Sequence, residues 1–247
     1  MIFRARQLLL NRRVCIHTIA ILAGGLATRL RPLTEQTPKS LIEINGEPFI
    51  AHQLRLLKAR GIEKVIICVG YLGELIQRFV GDGQEFGMEV QYSSDWPELL
   101  GTAGAVKRAL PLLGDSFFVL YGDSFLPCDY RAVGDALVAS SKAALMTVFR
   151  NENNWDTSNV EFEDGRILVY DKRTHSRRMR HIDYGLGAFH QEAFADVPER
   201  SAVDLADLYR KLLTRGELAG FEVHDRFYEI GSLQGIRNLS ELLRSGA

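Results

Sequence analysis

"LAGGLATRLRPLTEQTPKSL", residues 22–41, begins as the tail of an apolar run and then gathers two glycines, two arginines, two prolines and a lysine into one segment. It carries no regular hydrophobic period, so packing against a core does not account for it. A glycine pair directly after a buried strand lets the backbone turn sharply, and without a Cβ its N–H groups come close to a bound anion. Two familiar phosphate loops fail to match: there is no G-x-x-x-x-G-K-[ST], and Gly24, Gly25 and Ala27 do not make G-x-G-x-x-G. Clamping then falls to side chains, with Arg29 as a planar fork for phosphate oxygens and Lys39 as a point charge. Pro32 and Pro38 stiffen the loop that presents them. A triphosphate is the ligand this combination suits.

Outward from this loop, short apolar runs alternate with helical stretches, the pattern of a mainly parallel sheet covered by helices. "HTIAILAG" (17–24) reads as the first strand, followed by "KVIICVG" (64–70), "MEVQYS" (88–93), "SFFVLYGD" (116–123) and "AALMTVF" (143–149). "PFIAHQLRLLKARG" (48–61) reads as an amphipathic helix: Ile50, Leu54, Leu57 and Lys58 recur at spacings of three and four, with Pro48 in the first turn and Gly61 at the exit. Further helices are expected over 72–80, 103–113 and 130–140. After Arg150 the segments become shorter and β-like, with a hairpin around Asp164-Gly165 and a strand "HIDYGLGAF" (181–189). A helix "DLADLYRKLLTRG" (204–216) and a strand-turn-helix beginning at Phe221 close the chain. The expected fold is α/β: a Rossmann-like mixed, mainly parallel sheet flanked by helices, with a smaller β-rich part. Residues 17–247 read as a single domain.

The 247 residues are 46% hydrophobic and 25% charged, ordinary globular material. Lys plus Arg at 30 against Asp plus Glu at 31 gives a net charge of −1, so no global field points to nucleic acid or an anionic membrane, and anion recognition must be local. No apolar run approaches the roughly 20 residues of a membrane helix. Cys15, Cys68 and Cys128 are odd in number and far apart, which fits reduced thiols and a cytoplasmic setting. Residues 1–16, with Arg4, Arg6, Arg12 and Arg13, read as a flexible N-terminal extension; a transit peptide is the competing reading.

The opening segment resembles the signature of the sugar-1-phosphate nucleotidyltransferases, G-G-x-G-T-R-[LM]-x-P-x-T-x-x-x-P-K, matching at Gly24, Gly25, Thr28, Arg29, Leu30, Pro32, Thr34, Pro38 and Lys39 and departing at Ala27. The resemblance implies transfer of a nucleotidyl group from an NTP to a sugar 1-phosphate, with pyrophosphate leaving and Mg2+ as cofactor. It implies catalytic roles for Arg29, Lys39, Asp123 and Lys172. Leu22, Gly24, Gly25, Thr28, Arg29 and Lys39 would hold the nucleotide. "ELLGTAGAV" resembles the family's L-G-T-[AG]-G segment and adds Leu100, Gly101 and Thr102, while Tyr71 is a further candidate for the same pocket. "VLYGDSF" resembles the family's G-D motif and makes Asp123 the first metal ligand. "FYEIGS" resembles W-x-D-[IV]-G-[ST] with Glu229 in place of the aspartate, one methylene longer, as the second. "YDKR" and "IDYGLG" stand where the family has its E-K-P and N-x-G motifs, so Lys172, Asp183, Tyr184 and Gly185 would meet the sugar phosphate.

No nucleophile elbow, cysteine–histidine pair or H-E-x-x-H occurs. A phosphate is already a competent nucleophile, so catalysis reduces to alignment and charge neutralisation. Similarity leans toward guanylyl transfer to a mannose- or heptose-type 1-phosphate. The alternatives are uridylyl or cytidylyl transfer to another sugar phosphate or to phosphocholine, for which Tyr184 and Trp155 would be the aromatic candidates, and a non-catalytic nucleotide-sugar sensor. The sequence leaves base, sugar and homo-oligomeric state open.

Overall fold

A computed structural model of the chain describes residues 15–25 and 36–246. Strand β1 (Thr18–Ala23) is followed by the short strands β2 (Glu43–Ile44) and β3 (Glu47–Pro48), helix α1 (Phe49–Ala59), β4 (Lys64–Val69), α2 (Gly73–Val80) and β5 (Glu89–Ser94). Next come α3 (Gly101–Leu113), β6 (Ser116–Tyr121), β7 (Ser124–Phe125), α4 (Tyr130–Ser140) and β8 (Ala144–Arg150). The second half holds β9 (Val160–Glu163), β10 (Arg166–Tyr170), β11 (His181–His190), α5 (Leu205–Thr214), β12 (Leu218–Val223), β13 (Tyr228–Glu229) and α6 (Leu233–Ser245).

Among the described residues nine strands form one sheet, in the order β5-β4-β1-β6-β11, with β8 and then β12 beyond β11 and the β9–β10 hairpin at its start. β1, β4, β5 and β6 are mutually parallel, β11 runs against β6 and β8, and β12 runs with β8. The centre is therefore parallel, as the apolar runs imply, and β11 with the hairpin adds the antiparallel pairs. One consequence organises the site: β1, β4, β5, β6, β8 and β12 all end on the same edge of the sheet.

Parallel strands covered on both faces read as unbroken apolar runs, and side-chain alternation sends them to two cores. Ile19, Ile21, Val65 and Ile67 pack with Ile50, Leu54 and Leu57 of α1 and with Val133 and Leu137 of α4. Ala20, Ile66 and Val119 point the other way, to Ala103, Val106 and Ala109 of α3 and Leu205 and Leu208 of α5. Leu54 is fully buried, and truncating it to alanine would cost about 2–5 kcal/mol. A third cluster, Ile44, Phe49, Phe125, Ile230 and Leu239, fastens α6 and β13 to the β2–β3 and β7 segments.

Several expected details shift. Lys58 lies on the solvent side of α1, whose buried face is completed by Phe49 and Gln53. Helix α3 starts at Gly101, two residues before its expected start. Ile16, assigned to the extension, packs into the first core; residues 1–14 lie outside the described residues. The Asp164-Gly165 hairpin forms as expected, with both central residues at positive φ (48° and 75°) as a type I′ turn requires.

Candidate active site

In open α/β sheets ligands settle beyond the carboxyl ends of the strands, where neighbouring connections leave in opposite directions. β1 is that place: its chain continues toward β4 on one side, while β6 on the other arrives by crossover from β5. A cavity of about 400 Å3 opens there. Of the residues expected on the nucleotide, it brings together Leu22, Gly24, Gly25, Lys39, Gly101 and Thr102, with Asp123 beside them. Thr28 and Arg29 lie outside the described residues.

The strand ends approach so closely that only glycine fits. The Gly122 N–H donates to Leu22 O at 3.0 Å, and a Cβ on Gly122 would stand 2.7 Å from that same oxygen. Gly101 opens α3 at φ +71°, and a Cβ there would lie 2.6 Å from Val203 O. The Thr102 hydroxyl accepts the Leu205 N–H at 2.6 Å, so its oxygen is engaged with α5 while the first turn of α3 lines the cavity. Leu100 sits beneath, buried, and it is Leu99 that faces the cavity. Tyr71 is not among the lining residues: its ring packs on Trp96 at the surface, centroids 5.6 Å apart.

Several lining residues carry no motif in the sequence. Asp95 is buried and its Oδ2 accepts the Leu100 N–H at 3.0 Å, holding the turn before α3. Cys68 is beside it; burial, and then the Asp95 charge, push its thiol up to about 12, so it is a neutral wall. Among the described residues the Ser40 hydroxyl is buried without a hydrogen-bond partner, and Ser40 lines the cavity next to Lys39. Gln53 of α1 donates to Tyr121 O (3.2 Å) and Ser124 O (2.7 Å), fixing the backbone on both sides of Asp123.

Lys39 Nζ stands 2.5 Å from Asp123 Oδ2, with both side chains partly exposed to the cavity. β13 pairs with β7 so that Glu229 lies opposite Ser124, and the Ile230 N–H donates to Asp123 O at 3.0 Å. The point that a Cβ on Gly231 would occupy is 3.0 Å from Glu229 Oε2 and 3.2 Å from Lys39 Nζ. One ammonium and two carboxylates thus converge at the cavity mouth.

These donors fit a divalent cation. They are hard oxygens, a buried hydroxyl with no partner among the described residues lines the same cavity, and a small cation commonly takes one or two carboxylates while sharing the rest of its shell with water and substrate phosphates. Among the described residues no three His, Cys, Asp or Glu side chains make a complete cage. Asp123 and Glu229 would hold the ion.

A second polar cluster lies across Tyr121. Lys172 Nζ is 3.5 Å from Asp183 Oδ2 and 5.5 Å from the Tyr121 ring centre. Asp183 is deeply buried; its oxygens also accept the Tyr170 hydroxyl (3.0 Å) and the Gly185 N–H (3.1 Å). Burial works against the Lys172 charge, but Asp183, then Tyr121 and Asp204, outweigh it and hold its pKa above the ordinary lysine value. Burial, and next Asp183, likewise raise the Tyr121 phenol, which stays neutral. β11 carries an irregularity between Asp183 and Gly187, and Gly185 within it faces Ser124 and Tyr121. Asp183 therefore positions Lys172, with its own oxygens engaged by protein. Tyr184 points into the core against Phe149 and Phe227, while Trp155 is half exposed with the Arg226 guanidinium 3.6 Å from its ring centre, so these two aromatics do not form a cage for a quaternary ammonium.

No helix among the described residues is long and apolar enough to cross a membrane. The family described as nucleotidyl transferase matches residues 19–245. The chain is 29% identical to N-acetylmuramate alpha-1-phosphate uridylyltransferase of Neisseria meningitidis, over 90% of this chain and 96% of the relative. It is 30% identical to D-glycero-alpha-D-manno-heptose 1-phosphate guanylyltransferase of Campylobacter jejuni, over 85% of this chain and 93% of the relative. Its fold is shared with the crystal structure of HddC from Yersinia pseudotuberculosis complexed with GMP-PN, at a TM-score of 0.75 and 21% identity, covering 92% of this chain and all of that one. With a match that runs through both halves of the sheet, the chain belongs to the nucleotidyl transferase family.

Proposed function

We propose that the protein transfers a nucleotidyl group from an NTP to a sugar 1-phosphate, releasing pyrophosphate, with Mg2+ as the divalent ion. A phosphate oxygen of the acceptor attacks the α-phosphorus; the bond from that phosphorus to the bridging oxygen breaks and its electrons leave with pyrophosphate. The observation that carries this reading is the convergence of Lys39, Asp123 and Glu229 at the mouth of a cavity bounded by glycines and the first turn of α3. The ion, when bound, neutralises phosphate charge and so favours attack on phosphorus.

The chain's own residues supply alignment. Gly24, Gly25 and Gly101 let the nucleotide approach the backbone, and Thr102 and Leu99 bound the base side of the cavity. Lys39 exchanges Asp123 for triphosphate oxygens, and Arg29 joins it from the opening loop. Lys172, kept protonated by Asp183, meets the acceptor phosphate from the far side of Tyr121. Fixed charges of this kind act without reorganising during the reaction.

Guanylyl transfer to a mannose- or heptose-type 1-phosphate is the favoured assignment, supported by the heptose 1-phosphate guanylyltransferase relative; uridylyl transfer is the second, supported by a uridylyltransferase at nearly the same identity. The three free cysteines fit a reducing, cytoplasmic compartment. Pyrophosphate release from GTP, UTP, CTP and dTTP, each mixed with Mg2+ and a panel of sugar 1-phosphates, tests the proposal. Release with one NTP and acceptor dependence support it. Nucleotide binding without release for every pair would make the protein a sensor.

A further inference from the structure

Lys39, Asp123 and Glu229 all hang from the third, smallest core. Lys39 begins a single turn, in which the Leu41 N–H donates to Pro38 O (2.9 Å) and the Ile42 N–H to Lys39 O (3.1 Å), and that turn runs directly into β2, whose Ile44 is buried in the cluster. Asp123 adjoins β7, whose Phe125 enters the same cluster, and Glu229 is followed by Ile230, which does too. Ile44, Phe125 and Ile230 belong to neither of the two larger cores.

Helix α6 closes this small core from outside, and its own burial is slight: Leu239 is its one fully buried side chain among the described residues, with Ile236, Leu242 and Leu243 only partly covered. Yet the helix is tied to Glu229. Ser232 caps it, its Oγ accepting the Gly235 N–H at 3.0 Å, and Gly235 lies so close to Glu229 that a Cβ there would run into the Glu229 backbone oxygen. A drift of α6 is therefore transmitted to Glu229.

What fastens the helix is a side chain from the β2–β3 turn. Asn45 and Gly46 stand at positive φ (54° and 87°), as a two-residue type I′ turn requires. Asn45 Nδ2 donates to Ser240 O (3.0 Å), while its Oδ1 accepts from Ser240 Oγ (2.6 Å) and Arg244 Nε (3.1 Å). The Arg244 donor fixes which end of the amide faces it, since a flipped amide would oppose N–H to N–H. Ser240 and Arg244 are one helical turn apart, so one side chain grips α6 at two levels. Glycine would serve the turn equally well. The amide is thus the part of Asn45 that the turn does not use.

We propose that Asn45 is a positioning residue: by clasping Ser240 and Arg244 it holds α6, and with it Glu229, in place against Lys39 and Asp123. This rests on the nucleotidyl-transfer reading given above and deepens it, because the β2–β3 turn then links the opening loop to the second carboxylate.

Hydrogen exchange and kinetics together test it. Asn45→Gly keeps the turn and removes the clasp. Amide exchange over residues 230–239 should become about tenfold faster, the size of one or two hydrogen bonds, with α3 unchanged. Its kcat should fall about tenfold and its Mg2+ requirement rise, while acceptor KM, set on the Lys172 side, stays within about twofold. Ser240→Ala leaves the turn untouched and favours the helix intrinsically, so faster exchange in it reports the clasp and not a weaker helix. Combined with Asn45→Gly it should add little, because the bond is already lost. Unchanged exchange in Asn45→Gly overturns the clasp whatever the activity. Faster exchange with kcat and Mg2+ dependence as in the parent overturns the positioning role, as would effects of the two substitutions that simply multiply. A parent protein that releases no pyrophosphate with any NTP and acceptor fails the underlying function and overturns the catalytic half of this inference, while exchange still decides the structural half.

Discussion

Lys39 Nζ and Asp123 Oδ2 stand 2.5 Å apart although 84 positions separate them in the chain. The pair joins the end of the opening loop to the end of β6, where the proposed mechanism puts a nucleotide's phosphates and their cation. In the free enzyme Lys39 is the counter-charge of Asp123. On binding, each would gain a stronger partner, because phosphates attract the ammonium and a divalent ion attracts the carboxylate.

Asp123→Asn keeps the shape of the side chain and removes its charge. Turnover measured by pyrophosphate release should fall about a hundredfold or more. The thermal midpoint should move little, since the Asp123 side chain is partly exposed. Turnover within a few-fold of the parent would remove Asp123 from the mechanism.

Gly231→Ala tests the convergence without touching a charge. Its Cβ would press on Glu229 Oε2 and Lys39 Nζ, both ends of flexible side chains, so folding should survive while the two groups are pushed from their positions. Turnover about tenfold lower is expected, with circular dichroism unchanged. Gly235→Ala makes a contrasting control: its Cβ would meet the Glu229 backbone oxygen at 2.1 Å, so this variant should lose stability as well.

The Lys172–Asp183 pair has a defined pH behaviour. The folded pKa of Lys172 lies above the ordinary lysine value, so the stabilisation from its charge is fully present below about pH 10.4 and is lost only as pH rises through the folded value. Acceptor KM should therefore show no Lys172 titration between about pH 6 and pH 9. Lys172→Met should raise that KM across the whole range, measured by initial rates at several pH values.

Thiol labelling probes the cavity wall. Burial first, then the Asp95 charge, push Cys68 up to about 12, and burial does the same for Cys128. Cys15 is exposed. Iodoacetamide at pH 8 should modify Cys15 alone in the native protein and all three cysteines after denaturation, read by mass spectrometry. Rapid native labelling of Cys68 would mean that the cavity is more open than described.

How much of this was legible in the sequence follows from the range of the interactions. The strands β1, β4 and β6 show as apolar runs because they are buried on both faces, and the opening loop declares its glycines and charges locally. The β7–β13 ribbon, two residues on each side and roughly a hundred apart in sequence, leaves no periodic trace, yet it sets Glu229 beside Asp123. Asp95 and Ser40 gave no motif; they matter because the fold buries them at the cavity. Tyr184 shows the reverse failure, since a segment similar to a sugar-binding motif turns that side chain into the core. Alternation alone would not place it correctly, because β11 breaks register between Asp183 and Gly187.

The central claim is that Asp123 and Glu229 share one divalent ion with the bound nucleotide. Electron paramagnetic resonance of Mn2+ titrated into the enzyme with a non-hydrolysable NTP measures this directly. The account predicts one nucleotide-dependent site per chain in the parent protein, weakened about tenfold or more in Asp123→Asn and in Glu229→Gln. The same nucleotide-dependent Mn2+ affinity in the parent and both variants would contradict it.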